Sequence, residues 1–455
     1  MHIAKLTLHN IRSIGHFEMT FDQPEGWHVL IGDNGAGKST IVRSAALVML
    51  DVDDINGARQ NWNDWLSQQA TTGSIEAVLQ PHESFDGATD PVESRITFTR
   101  ENETPQAPAL LSQVIFRGRP SYFRNTPSGV PEYRTYSSFP SANNPVSSSS
   151  SSGYPAWFSA GYGPYRRFSG GSPEFESVFR SNPRLGMHLS VFSEGVALTE
   201  ALTFLRDTYA RELETQLHRS SDAPVTDPAI SQPSVIQDLK TFVNEAGLLP
   251  HGTTIDRVEL SGVYFRDGNG NRITALQLSD GYRSMLSLIF ELIQQLIRAY
   301  GPDTVFANVR TGLMNIDVPG VVMIDEIDTH LHPTWQTRIG DWFLRCFPRI
   351  QFIVTTHSPL ICRACERGSI WRLAAPGNPE PSGEITGQER DRLIYGNVLD
   401  AFGTEIFGNE VTQSERGQAM GARVAHLNMK SFKGTISESE RQELYTLRAK
   451  MPTVE

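Results

Sequence analysis

Two stretches of the chain are apolar without interruption, VVMI at Val321–Ile324 and the IQFIVTT run that begins at Ile350. Unbroken runs of this length predict strands covered on both faces, as in a parallel sheet. WHVLI (Trp27–Ile31) is a further short strand, and it runs into a glycine-rich loop. A helix is expected from near Ser39 through IVRSAALVML. SIEAVLQ and SRITFTR follow as short strand-like pieces of a meander. Helical spacing is clear in ALTFLRDTYARELETQL and in LSDGYRSMLSLIFELIQQLIRAY, where Met285, Ile289, Leu292 and Leu296 recur on one side. Between those two, VELSGVYFRDGNGNRITAL predicts a hairpin turning at Asp267–Asn271.

Composition changes this picture in one region. From about Glu101 to Gly153 the chain turns to Pro, Ser, Asn and Tyr and ends in the serine run Ser147–Ser152. Such a stretch buries too little apolar surface to offset its ordering entropy, so residues 102–153 are expected to be a flexible insertion. The full division is an N-terminal lobe (1–173), a helical arm or lid (174–255), a C-terminal lobe (256–372) and a mostly helical tail (373–455). The fold class is α/β. The net charge of −11 excludes a surface that coats nucleic acid throughout, although it leaves room for a local basic patch. No stretch approaches the apolar length of a membrane span, and no apolar signal core opens the chain, so a cytoplasmic location is expected. Three cysteines make no disulfide framework. Cys362 and Cys365 form a CxxC, but Ser358-Pro359 reads as a helix start that puts both on a packed helix.

The chemistry sits in two motifs. Gly32-Asp33-Asn34-Gly35-Ala36-Gly37-Lys38-Ser39-Thr40 matches G-x-x-x-x-G-K-[ST] between a strand and a helix. Its glycines let backbone N–H groups turn inward onto phosphates, where the helix N-terminus adds a favourable potential. Lys38 would reach the β- and γ-phosphates, and Ser39 would ligate Mg²⁺. The second motif is VVMIDEIDTHLHP, an apolar strand ending on Asp325 and Glu326. Asp325 would hold Mg²⁺, and Glu326 would polarise the attacking water. His330 and His332 lie beyond that strand, with a metal site, a subunit contact and a helix cap as the alternatives.

Together these residues resemble an ABC-type ATPase. LSDGYRS resembles the ABC signature LSGGQ, with Asp280 in place of the first glycine and Tyr282 in place of the glutamine. The resemblance implies that Ser279 and Gly281 approach the γ-phosphate bound by a second copy, so that ATP is sandwiched in a homo-oligomer. It also implies a D-loop acid at Asp328 and a γ-phosphate-sensing switch at His357. LTLHNIRSIGHFEMTF is similar to the opening strands of the Rad50, RecF and SMC branch, which implies a place for Arg12 near the phosphates. GYGPYRR shows no Q-loop glutamine; Arg166 and Arg167 stay open between a phosphate, a subunit contact and a surface pair.

DEIDTHLHP with TTHSP is most similar to OLD-type ATPases of bacterial anti-phage systems. About 95 residues follow Ser358, and they carry no sign of the Toprim nuclease domain of OLD nucleases. The whole pattern looks like the stand-alone ATPase subunits that pair with a separately encoded effector nuclease, the PARIS subunit AriA first and the Septu subunit PtuA second. The implied activity is hydrolysis of ATP with Mg²⁺, with the trigger open between a phage protein and DNA. A RecF- or Rad50-like DNA-repair ATPase and an ATP-dependent scaffold with little turnover are the alternatives. The lack of an extended heptad-rich arm and the net acidity count against the first.

Overall fold

A computed structural model describes residues 1–58, 60–86, 90–101, 104–105, 107–116, 119–125, 131–135, 157–166, 175, 178, 182–196, 200–222, 234–375, 377, 381–397 and 415–450. The chain opens with β1 (His2–Ile11), β2 (Ile14–Thr20) and β3 (Gly26–Gly32). After a helix over Lys38–Val48 come β4 (Thr72–Gln80), β5 (Val92–Arg100), β6 (Ala109–Phe116), β7 (Arg119–Asn125), β8 (Pro131–Thr135) and β9 (Ser159–Tyr162). Helices Glu200–Asp222 and Val235–Glu245 lead to β10 (Thr254–Glu259), β11 (Gly262–Arg266) and β12 (Arg272–Thr274). Helix Asp280–Tyr300 precedes β13 (Gly320–Ile324), β14 (Ile350–Thr355), β15 (Gly368–Leu373) and β16 (Gly383–Glu384).

The central sheet runs β16-β15-β3-β14-β13-β9, parallel except for the edge strand β16. Its strands lack alternation because both faces are covered. Val321, Met323 and Ile353 face one cluster, with Val42, Ala45 and Leu47 of the Lys38–Val48 helix. Val322, Ile324, Phe352 and Val354 face another, with Leu286, Ile289 and Leu292 of the Asp280–Tyr300 helix. The helices expected to form an arm also reach this second layer, through Leu205, Leu239 and Phe242. Trp27 stacks on Phe343 with ring centroids 5.6 Å apart, pinning the Ile339–Cys346 helix beneath β3.

The antiparallel sheet runs β2-β1-β4-β5-β6-β7-β8. It turns one apolar face, Leu6, Leu8, Ile75, Leu79 and Ile96, onto the Lys38–Val48 helix, which is thereby held between the two sheets. Within the expected insertion over residues 102–153, Ala109–Phe116, Arg119–Asn125 and Pro131–Thr135 are strands that extend this sheet, with β6 pairing β5, β7 pairing β6 and β8 pairing β7. Ladder pairing satisfies backbone groups without requiring a large apolar core, so composition alone is a poor guide. The serine run lies outside the described residues.

The hairpin over 254–274 forms three strands, and its second turn is tied by Asp267, which accepts from the N–H of Asn269 and Asn271 at 2.9 and 2.7 Å. Ser358 caps the 3₁₀ helix Pro359–Arg367 as expected, and Cys362 and Cys365 are buried free thiols within it. Burial pushes both thiols well above their ordinary range. In the tail, helices Glu415–Phe432 and Glu438–Lys450 pair through Arg423–Glu443 at 2.8 Å and Lys430–Glu440 at 2.5 Å.

Candidate functional site: a P-loop facing the carboxylates of β13

The site lies at the C-terminal ends of β3, β14 and β13, which are neighbours in that order. β3 delivers the glycine loop, where Gly35 and Gly37 take φ of 80° and 101°, conformations open to glycine at little steric cost. Gly37 is also hemmed in: a Cβ there would sit 3.0 Å from the Ile14 side chain. Asp33, Asn34 and Gly35 are exposed at the loop tip, whereas Ala36, Lys38 and Thr40 are buried against the core and Ser39 is half-buried. Lys38 Nζ donates to the carbonyls of Gly32 at 2.6 Å and Asp33 at 3.0 Å. Burial lowers its pKa, opposed by the carboxylates of Asp325, Glu326, Asp33 and Asp328. Tertiary folding thus brings both sequence motifs onto one ammonium group.

β13 is followed directly by Asp325, whose side chain is held by Thr355 at the end of β14. The Thr355 hydroxyl donates to Asp325 Oδ1 at 2.5 Å and accepts from the backbone N–H of Glu326 at 2.7 Å. Glu326 itself has φ of 49°, a left-handed conformation costly for a residue with a Cβ. Its Oε2 accepts from the Thr329 hydroxyl at 3.2 Å. Asp328 Oδ1 accepts from the Thr356 hydroxyl at 2.6 Å, which ties the D-loop to the strand end that carries exposed His357.

Arg166 is not half of a surface pair. Buried to 4% exposure, it donates Nη1 to the carbonyls of Gly163 (2.9 Å) and Asp325 (2.8 Å), and Nη2 to the carbonyl of Glu326 (2.9 Å). Desolvation brings its pKa down to about 10, opposed by Asp325, Asp328 and Glu326. Arg167 lies outside the described residues. Arg12 sits in the β1–β2 turn at φ 53°, its guanidinium 4.8 Å from the Trp65 ring centre. Burial, and then the charge of Arg43 on the P-loop helix, lower its pKa. Thr355, Thr356 and the carbonyl-binding role of Arg166 were missed from sequence. The polar pair closing the apolar IQFIV run is the signal by which the threonines could have been found.

Ser279 is not brought to this P-loop. It precedes the Asp280–Tyr300 helix, exposed, and its side chain makes no capping bond. With Gly281, Tyr282, His330, Leu331 and Trp335 it lines a cleft of about 1240 Å³ that contains no P-loop residue. Gly281 packs against the D-loop, where a Cβ would lie 2.7 Å from the His330 carbonyl oxygen. His332 is the cap of the short helix Pro333–Gln336, its Nδ1 accepting from the N–H of Thr334 at 3.4 Å.

Fold and site together are a parallel sheet that carries the glycine loop, backed by an antiparallel sheet, with the carboxylate pair two strands from the loop. Two family models match parts of the chain. Residues 196–363 match "AAA domain, putative AbiEii toxin, Type IV TA system", and residues 5–122 match "AAA domain". The chain is 40% identical over 107 residues to the "Retron Ec83 probable ATPase" of Escherichia coli, 24% of this chain and 18% of that protein. It is 36% identical over 203 residues to the "Septu protein PtuA" of Bacillus mycoides (strain KBAB4), 44% of this chain and 26% of that protein. The chain therefore spans about a quarter or less of the length of these curated relatives. Of the two defence subunits it resembles, PtuA is among them. A solved SMC head bound to the C-winged helix domain of ScpA aligns over 86% of this chain and 100% of its own, at 13% identity and a TM-score of 0.46.

Proposed function

We propose that this chain binds ATP with Mg²⁺ and hydrolyses it slowly at a site shared by two copies, and that this cycle governs a separately encoded effector nuclease in anti-phage defence. The supporting observation is that β3 and β13, separated by β14 alone, bring the positive-φ glycine loop and the Asp325–Glu326 pair to the same end of the parallel sheet, where Asp325, Glu326, Asp33 and Asp328 favour the charged form of Lys38. Lys38 now rests on the loop's own carbonyls, which phosphate oxygens would replace as partners. The donor set, a hydroxyl at Ser39 and a carboxylate at Asp325, suits a hard divalent cation. Ser39 and Asp325 would hold Mg²⁺, which when bound neutralises charge developing on the phosphoryl oxygens.

Glu326 orients the attacking water and takes up its proton, and His357 lies at the strand end beside the D-loop, where it can sense the γ-phosphate. The exposed, uncommitted hydroxyl of Ser279 supports action in trans on the nucleotide of a second copy. The sequence relatives, a retron probable ATPase and the Septu protein PtuA, support the defence role.

The test combines three variants. Lys38→Ala loses ATP binding, while Glu326→Gln keeps binding and slows hydrolysis by ~10²–10⁴. A mixture of Lys38→Ala and Ser279→Ala chains recovers up to one intact site per dimer. Co-expression with the genomic neighbour yields a stable complex whose phage protection depends on Lys38 and Glu326. Parental turnover by Glu326→Gln, or no recovery in demonstrably mixed oligomers, overturns the proposal.

A further inference from the structure

We propose that Arg166 is the positioning residue of the hydrolytic carboxylate: its buried guanidinium holds the Asp325–Glu326 backbone in the left-handed turn that aims Glu326. The inference rests on the hydrolytic role proposed for Glu326. A glutamate at φ 49° relaxes towards the ordinary helical or extended regions unless its neighbours prevent it. Three contacts prevent it. The Glu326 N–H is held by Thr355 Oγ1 at 2.7 Å, and its carbonyl accepts from Thr329 N–H at 3.1 Å and from Arg166 Nη2 at 2.9 Å.

Arg166 adds what the other two lack. One planar fork spans two successive carbonyls, those of Asp325 and Glu326, and so fixes the peptide orientation on both sides of the glutamate Cα. The arginine is anchored in turn. Nη1 also donates to Gly163, on the segment that leaves β9, and β9 pairs directly with β13. Spending a buried cation on carbonyls rather than on a carboxylate is unusual, because a carboxylate would offset its desolvation better. The site accepts that cost where the backbone, not the side chain, needs holding.

Steady-state turnover and the affinity for a fluorescent ATP analogue are measured for the parental chain, Arg166→Ala, Arg166→Lys, Glu326→Gln and the Arg166→Ala/Glu326→Gln double variant. Arg166→Ala lowers kcat roughly 100-fold, the size expected of a reacting group displaced by about an ångström, while the analogue's Kd changes less than about threefold. Arg166→Lys, which keeps the charge but not the fork, recovers about tenfold of that loss. In the Glu326→Gln background Arg166→Ala costs nothing further, because the group it positions is already gone.

A parental kcat in Arg166→Ala overturns the proposal. So does a loss explained by weaker ATP binding, or the same loss repeated without Glu326. Should Arg166→Ala not fold, Arg166→Lys decides: about tenfold lower kcat at unchanged Kd supports the clamp, and a parental kcat overturns it. Parental turnover in Glu326→Gln overturns the hydrolytic assignment and the clamp together; every other adverse result strikes Arg166 alone.

Discussion

Thr355→Val is a sharp perturbation, because valine keeps the shape of threonine and removes only its hydroxyl. That hydroxyl is fully buried and makes two bonds at once, 2.5 Å to Asp325 Oδ1 and 2.7 Å from Glu326 N–H. No cavity opens, so the cost is that of two buried groups left unpaired, one of them a carboxylate. At about 1–3 kcal/mol each, with the charged partner at the upper end, the folded state loses roughly 2–5 kcal/mol. The thermal midpoint should fall by roughly 4–20 °C. Thr355→Ser keeps both bonds and loses one methyl, about 1 kcal/mol. The assay is urea and thermal unfolding of the three proteins side by side, with ATP turnover measured on the same samples. Thr355→Val should be the less stable variant and turn over ATP more slowly, since Glu326 loses a backbone restraint. Equal stability of the Val and Ser variants would refute the bonding scheme.

Gly281→Val places carbon where the His330 carbonyl oxygen would be 2.7 Å from the Cβ, forcing the signature turn off the D-loop. Turnover should collapse while ATP affinity, set by the untouched P-loop, stays parental; equal loss of both would place Gly281 elsewhere in the cycle. His2 and His28 are buried neutral, burial lowering each pKa from 6.5 to about 4, against the lesser opposing pull of the Arg349 and Pro24 carbonyls. Their contribution is complete above pH 6.5 and is lost as pH falls towards 4, by about 1.4 kcal/mol per pH unit for each histidine. Urea midpoints at pH 7 and pH 5 should differ accordingly, and His28→Gln should flatten the slope; a slope unchanged in that variant would contradict it.

The glycine loop and the carboxylate pair were legible because each motif is local. Lys38 and Ser39 follow their glycines directly, and Asp325-Glu326 end an apolar run, so a few covalent bonds carry the geometry. The unbroken VVMI and IQFIVTT runs were legible for the same reason, since a doubly buried strand has no polar alternate positions to hide its character. Strands β7 and β8 were not legible, because RPSYFRN and PEYRT carry little apolar signal and their pairing runs through β6. β6 itself, ALLSQVIF, is mostly apolar and pairs with the preceding strand β5, but it was passed over inside a Pro- and Ser-rich stretch.

The sequence by itself therefore determined the α/β class, the glycine loop between strand and helix, and the carboxylate pair after the VVMI strand. Each is written in residues a few positions apart, where chain connectivity leaves little freedom. Tertiary structure alone decided which strand stands between loop and carboxylates, and hence that Thr355 and Thr356 hold Asp325, Glu326 and Asp328. It also decided that Arg166, 159 and 160 positions away from two of its three carbonyl partners, grips the turn at Glu326. Such contacts depend on strand order and on a left-handed φ that no local pattern encodes, because the restraints that make that conformation affordable come from distant segments.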